Sequence, residues 1–196
     1  MGTSVINPLQ GLINQVAATT PRDTGATRAA AARAEYARTY PGTAILADVS
    51  GSMAAPAWGG HSKCHVLRDA IRASLRGDSV LVAFSSSARV IPAATDLPEP
   101  NGSTAMHIGL RAAIAQRRGR ILVVSDGEPD DEASALAAAS DYLGTIDVLY
   151  IGPDSNAAAM AFLQRLARTG HGRYHGSDIS RAGQPALTHT VRGLLK

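Results

Sequence analysis

The chain has 196 residues, of which 45% are apolar and 18% charged, a composition typical of a folded domain that excludes an intrinsically disordered chain. Its net charge of +3 comes from arginines scattered among aspartates and glutamates, which argues against nucleic-acid binding because such proteins usually cluster their basic residues. The single cysteine excludes an intrachain disulfide. With no apolar run near the roughly 18 residues of a membrane helix and no secretory signal pattern, we expect a soluble, cytoplasmic protein.

The first forty residues differ in pattern from the rest. Apolar residues recur at helical spacing over residues 5–16, and a second helix, rich in alanine and arginine, is predicted over residues 24–38 before a Tyr-Pro-Gly turn. We therefore predict an N-terminal helical extension over residues 1–40 and a separate domain over residues 41–196. The apolar face of residues 5–16 should pack on that domain or mediate assembly.

From residue 43 onward, short apolar runs alternate with helical patterns. Near-continuous apolar strands separated by helices indicate a parallel sheet covered on both faces, and right-handed crossovers make it a doubly wound α/β domain. In such a sheet, functional loops gather at the carboxyl ends of the strands. The predicted strands are residues 43–49, 79–84, 88–91 (a hairpin partner of the second), 120–124, 145–151 and 173–175. The predicted helices are residues 61–75, 104–116, 130–142, 156–167 and about the last dozen residues.

Oxygen-bearing side chains stand at three of these junctions. Asp48, Ser50 and Ser52 follow the first strand, Thr104 begins a helix, and Asp126 follows the strand at residues 120–124. The first three alone would be an ordinary polar turn, and Thr104 a helix cap. All five should meet at one edge of a parallel sheet, where Thr104 could both cap the helix and bind a metal. Two carboxylates and three hydroxyls, with no histidine or thiolate, form the ligand set of a hard cation such as Mg²⁺.

These motifs resemble those of von Willebrand factor type A (vWA) domains. The stretch DVSGSM at residues 48–53 looks like their DxSxS signature, residues 102–104 (GST) match their GxT element, and VSDGE at residues 124–128 resembles their TDG-like element. Lys63 lies in a stretch similar to the lysine-bearing helix that follows the first motif, and RTGHGRYH at residues 168–175 resembles the stretch before their last strand. The resemblance covers about residue 43 to the C-terminus, with the motifs in the family's order.

The resemblance implies a fold and a site. The fold is a Rossmann-like, doubly wound, mostly parallel sheet with one antiparallel edge strand and helices on both faces, here of the bacterial intracellular type. The site is a metal-ion-dependent adhesion site (MIDAS) at the top of the sheet, which usually holds Mg²⁺, with Mn²⁺ or Ca²⁺ as alternatives. The ligands carried over are Asp48, Ser50, Ser52, Thr104 and Asp126. Ser103 stands where the family often has glycine and Ser125 where it often has threonine, and neither departure removes a ligand.

The function implied by the resemblance is that of a non-enzymatic binding module. An Asp or Glu of a partner protein would fill the open coordination position of the metal. Similar bacterial proteins suggest an AAA+ ATPase or a protein of a stress or conflict operon as the partner, with no nucleic acid or membrane involved. Further partner contacts are expected from Trp58, Met53, Ser103 and Glu128.

Two alternatives to the binding module are a hydrolase and a zinc site. A metal-dependent, phosphatase-like hydrolase could use Asp48 as its nucleophile, with Lys63 near the phosphate. Such an enzyme would want a second acid at the position of Ser50, and the sequence contains no P-loop and no nucleophile elbow. A zinc site could use His61, Cys64 and His65, but tetrahedral zinc needs four ligands and no partner pair is visible.

Overall fold

The structure, a computed structural model, describes residues 25–195, apart from the side chains of Trp58 and residues 180–184. The contacts divide the chain into two units, residues 1–32 and 33–196. Of the first unit the structure describes the start of helix α1 (Gly25–Thr39), in agreement with the second predicted helix. The helix predicted over residues 5–16 lies outside the described residues, so the packing of its apolar face and the boundary at residue 41 stay predictions.

Strands and helices alternate along the second unit as predicted. The strands are β1 (Thr43–Asp48), β2 (Val80–Phe84), β3 (Ala88–Ile91), β4 (Arg120–Ser125), β5 (Thr145–Tyr150) and β6 (His171–Gly176). The helices are α2 (Lys63–Ser74), α3 (Met106–Ile114), α4 (Glu132–Ser140), α5 (Ala157–Thr169) and α6 (Ile179–Leu194). None of the described helices is long and apolar enough to cross a membrane.

The six strands form one sheet in the order β3-β2-β1-β4-β5-β6. Every neighbouring pair is parallel except β2 and β3, which run antiparallel at one edge. This confirms the predicted Rossmann-like, mostly parallel sheet with one antiparallel edge strand.

Both faces of the sheet are buried, which explains why the strands read as continuous apolar runs. All six residues of β1 are buried, and successive side chains point to opposite faces. Ile45 belongs to a core that includes Leu67 of α2 and Leu187 of α6. Leu46 belongs to the second core, which includes residues of α3, α4 and α5 such as Leu110.

The strand order places a crevice beside β1. The chain runs from β1 outward to β2 and β3, then crosses back to β4 on the other side of β1. In open α/β sheets, ligands bind at the carboxyl ends of the strands where the order reverses in this way. Ala47 pairs with Val124, so the residues that follow each of them, Asp48 and Ser125, lie side by side at this reversal.

Candidate functional site

Asp48 is the innermost residue of the predicted site. It ends β1 and is 0% exposed. One carboxylate oxygen, Oδ1, accepts the Ser50 N–H at 2.8 Å, and the other, Oδ2, accepts the Ser125 hydroxyl at 2.6 Å. Burial raises the pKa of Asp48 to about 6, although the hydrogen bonds from Ser125 and Ser50 act in the opposite direction. Because loss of hydration disfavours the charged form, a cation at this position would restore the carboxylate.

A chain of hydrogen bonds joins the first motif to the third. The hydroxyls of Ser50 and Ser52 lie 3.2 Å apart, and Ser52 Oγ donates to Asp126 Oδ1 at 2.7 Å. Asp126 follows β4 and is 3% exposed, whereas Ser52 is exposed to solvent. The structure therefore brings together four of the five predicted ligands, Asp48, Ser50, Ser52 and Asp126, in a cluster that opens to solvent at Ser52.

The loop that carries Thr104 is held against the first motif by its backbone. The N–H of Gly51 donates to the carbonyl of Gly102 at 3.1 Å, and the N–H of Asn101 donates to the carbonyl of Val49 at 3.0 Å. These bonds join the loop after β1 to the loop before α3, so the second predicted motif lies next to the first.

Thr104 does not cap the helix that follows it, contrary to one of its two expected roles. Helix α3 begins at Met106, its N-cap residue is Ala105, and no side chain caps it. Instead, the N–H of Thr104 donates to Asp130 Oδ1 at 2.9 Å, and its carbonyl accepts the N–H of Asp130 at 3.0 Å. No hydrogen bond to a described residue engages the Thr104 hydroxyl, so it remains free to serve as a ligand.

Replacing Gly102 with alanine should destabilise the domain and weaken metal binding. Gly102 has φ +74°, and an added Cβ would lie 2.5 Å from Ser86 Oγ. The left-handed conformation costs a non-glycine residue about 1–2 kcal/mol, which lowers the melting temperature of a domain of this size by roughly 2–8 °C. Gly77→Ala is the control, because a Cβ there meets nothing within 4 Å. Equal melting temperatures and equal Mg²⁺ responses in the two variants would contradict the prediction that the fold and the metal site need glycine at position 102.

Lys63 supplies a positive charge inside the site. It begins α2, and its ammonium Nζ lies 2.5 Å from Asp126 Oδ2, with the two side chains 14% and 1% exposed. Asp126 thus binds the Ser52 hydroxyl with one oxygen and the lysine with the other. The sequence indicates Lys63 only by resemblance and as a possible phosphate ligand, because a pair 63 positions apart leaves no pattern along the chain.

The donor set fits a hard cation. Among the described residues, no group of three His, Cys, Asp or Glu side chains is arranged to hold a metal ion. The Asp48 cluster has only two carboxylates, so a cation here would also need the serine and threonine hydroxyls as ligands. The cluster offers oxygen donors alone, two of them carboxylates in nearly complete burial. Oxygen ligands of this kind suit Mg²⁺, which usually also keeps several waters.

The four residues expected to contact a partner lie in different surroundings. Ser103 and Glu128 are exposed, and the Ser103 N–H donates to Ser86 Oγ at 3.0 Å. Met53 is 0% exposed and packs in the core, so its side chain offers no surface to a partner. The side chain of Trp58 is outside the described part of the structure, and its role stays a prediction.

The three residues of the suspected zinc fragment do not converge. The rings of His61 and His65 stack with their centroids 4.4 Å apart. Cys64 is buried in the core, where its thiol lies 3.8 Å from the carbonyl oxygen of Pro98. A buried thiol directed at a backbone carbonyl acts as a packing residue.

Solved structures of other proteins resemble this fold. The VWA domain of SpRpn10 is 16% identical, with a TM-score of 0.57 over 76% of this chain and 93% of that one. The chain has the von Willebrand factor type A fold. An aerotolerance-related membrane protein from Bacteroides fragilis NCTC 9343, solved with multiple mutations to serines, is 18% identical, with a TM-score of 0.53 over 77% of this chain and 98% of that one. No protein-family model and no curated protein matches the sequence. The chain therefore resembles vWA domains in its fold alone.

Proposed function

We propose that this vWA-fold chain is a protein-binding module that depends on a divalent cation. Asp48, Ser50, Ser52, Thr104 and Asp126 would hold the ion, with Mg²⁺ favoured and Mn²⁺ or Ca²⁺ as alternatives. The bound ion would supply a positive charge with an open coordination position for an Asp or Glu of the partner protein. By resemblance, an AAA+ ATPase or a protein of a stress or conflict operon is the expected kind of partner.

The observation that carries this proposal is the hydrogen-bonded cluster at the strand-order reversal. Asp48 ends β1 and Asp126 follows the neighbouring strand β4, and Ser50 and Ser52 bridge the gap between them. Burying two carboxylates in one hydrogen-bonded cluster is unfavourable unless positive charge compensates them. Lys63 pairs with Asp126, but no described lysine or arginine forms an ion pair with Asp48. A divalent cation between the two carboxylates would provide that compensation.

The hydrolase alternative gains no support from the site. A nucleophilic carboxylate must have an oxygen free to attack the substrate. Asp48 is 0% exposed, and both of its oxygens already accept hydrogen bonds, from Ser50 and Ser125. Lys63, the candidate phosphate ligand, is engaged by Asp126. These contacts count against a catalytic role for Asp48.

Partner capture tests the binding proposal. The immobilised chain should retain a partner protein in Mg²⁺ and release it in EDTA, whereas chain with Asp126→Asn should retain none in either buffer. Replacing one acidic residue of the captured partner with alanine should then abolish binding, because a single carboxylate completes the site. Capture that survives both EDTA and Asp126→Asn would show that binding does not use the metal.

A further inference from the structure

A cavity of about 760 Å³ lies at the other end of the sheet from the Asp48 cluster. It is bounded by the first residues of β4 and β5, by β6, and by the C-terminal part of α6. Its volume is within the range of about 300–1,000 Å³ found for small-molecule sites. None of the five predicted metal ligands lines it, so the cavity is separate from the proposed binding site.

The lining of this cavity is cationic. Its charged and titratable residues are two arginines, three histidines and one aspartate: Arg120, Arg173, His171, His175, His189 and Asp147. The aspartate is buried at 4% exposure and already paired. Its Oδ2 accepts Arg120 Nε at 2.5 Å, and its Oδ1 accepts the backbone N–H of Arg173 at 2.8 Å. Asp147 therefore fixes the Arg120 side chain and the Arg173 backbone, and the two arginines leave the cavity with excess positive charge.

Both guanidinium groups keep donors free for a ligand. Asp147 engages only Nε of Arg120, and no described residue binds its two terminal nitrogens. The exposed side chain of Arg173 forms no hydrogen bond or ion pair with a described residue, since its only bond to Asp147 is through the backbone. In addition, His175 Nε2 is buried without a hydrogen-bond partner. Buried polar atoms nearly always have a partner, so this nitrogen is not committed to another described residue.

The backbone of β6 is distorted where it faces the cavity. Between the pairs Ile146–His171 and Val148–Tyr174, two residues of β6 stand opposite the single residue Asp147, which is a β-bulge. His171, just before the bulge, has φ +57°, a left-handed conformation that costs a non-glycine residue free energy. Bulges redirect side chains, and strain of this kind concentrates at binding sites. Here the bulge turns the Arg173 N–H to the Asp147 carboxylate and fixes the start of its side chain at the cavity wall.

We propose that this cavity binds the phosphate group of a small molecule. Guanidinium groups recognise phosphate oxygens through paired hydrogen bonds, and imidazole N–H groups add further donors. The volume exceeds what a phosphate ion needs, so the cavity leaves room for an organic group on the ligand. This inference does not depend on the proposed metal site.

Thermal unfolding of the full chain in EDTA tests the proposal, with inorganic phosphate and AMP as probes. Both should raise the melting temperature above that in sodium chloride at equal ionic strength, and AMP should act at lower concentration. Arg173→Gln should weaken the apparent affinity for both probes about tenfold, the usual value of a charge-assisted hydrogen bond. Arg111→Gln removes the same charge from an exposed site on α3 and should have no effect.

Other outcomes would overturn the proposal or reassign the ligand. A stabilisation equal to that by chloride, or an undiminished response in Arg173→Gln, would exclude a phosphate site in this cavity. A response to inorganic phosphate without any advantage for AMP would exclude the organic group. The response should persist in Asp126→Asn, and its loss there would place the phosphate at the metal cluster instead.

Discussion

Replacing Asp48 with asparagine will abolish stabilisation of the chain by Mg²⁺. A ligand that binds only the folded state stabilises it according to its concentration and Kd, which at ten times Kd amounts to about 1.4 kcal/mol. For a domain of this size the wild-type melting temperature should therefore rise by roughly 3–6 °C. Asparagine keeps the shape of the side chain but removes the charge that a divalent cation requires, so the variant should show no rise with Mg²⁺ or Mn²⁺.

The same experiment separates a metal effect from a folding defect. The amide at position 48 can still accept the Ser50 N–H and contact the Ser125 hydroxyl, so the metal-free variant should melt close to the wild type. Asp141→Asn is the matched control, because Asp141 is exposed at the end of α4; it should keep the full Mg²⁺ response. A wild type that neither metal stabilises, or an Asp48→Asn variant that responds normally, would refute the ligand assignment.

Replacing Lys63 with methionine will lower the stability of the metal-free chain and raise its affinity for Mg²⁺. Methionine fills a similar volume but leaves Asp126, whose side chain is 1% exposed, without its positive partner. Removing one member of a buried pair costs about 3–5 kcal/mol, and Lys63 is partly exposed, so we expect roughly 3 kcal/mol. The metal-free melting temperature should fall by roughly 6–12 °C.

Mg²⁺ should recover part of that loss. The Lys63 ammonium lies 2.5 Å from Asp126 Oδ2, so it competes with any cation that binds this oxygen. Without it, the Mg²⁺ affinity measured by calorimetry should rise above that of the wild type. Lys63→Arg keeps the charge and should resemble the wild type in both measurements. Weaker Mg²⁺ binding in Lys63→Met would show instead that the lysine supports the metal site.

The order and type of the elements in the sheet domain could be predicted from the sequence because the sheet is buried on both faces. Strands such as β1 and β4 then appear as uninterrupted apolar runs between turn residues. Strand β6 was harder to predict, because its sequence, HGRYHG, is not apolar. The prediction covered residues 173–175, whereas pairing with β5 extends the strand over His171–Gly176. Pairing with a neighbour decides strand formation where the local pattern is weak.

The predicted ligands could be named from the sequence because each stands at the end of a strand, in the loop that follows it, or shortly before a helix. The residues that support them could not. Ser125 donates to Asp48, and Asp130 holds the Thr104 backbone, yet neither contact follows from spacing along the chain. The helix-cap role of Thr104 was wrong because α3 begins two residues later, at Met106.

By itself, the sequence determined the alternation of strands and helices and the placing of Asp48, Ser50, Ser52, Thr104 and Asp126 at or near the ends of strands and helices. Local hydrophobic periodicity and turn chemistry are enough for that. Only the tertiary structure decided which side chains meet. It joined Lys63 to Asp126, and it formed an open cationic cavity beside Arg173 at the opposite end of the sheet. Such contacts arise from strand order and helix packing, which bring distant residues together and leave no periodic signal in the chain.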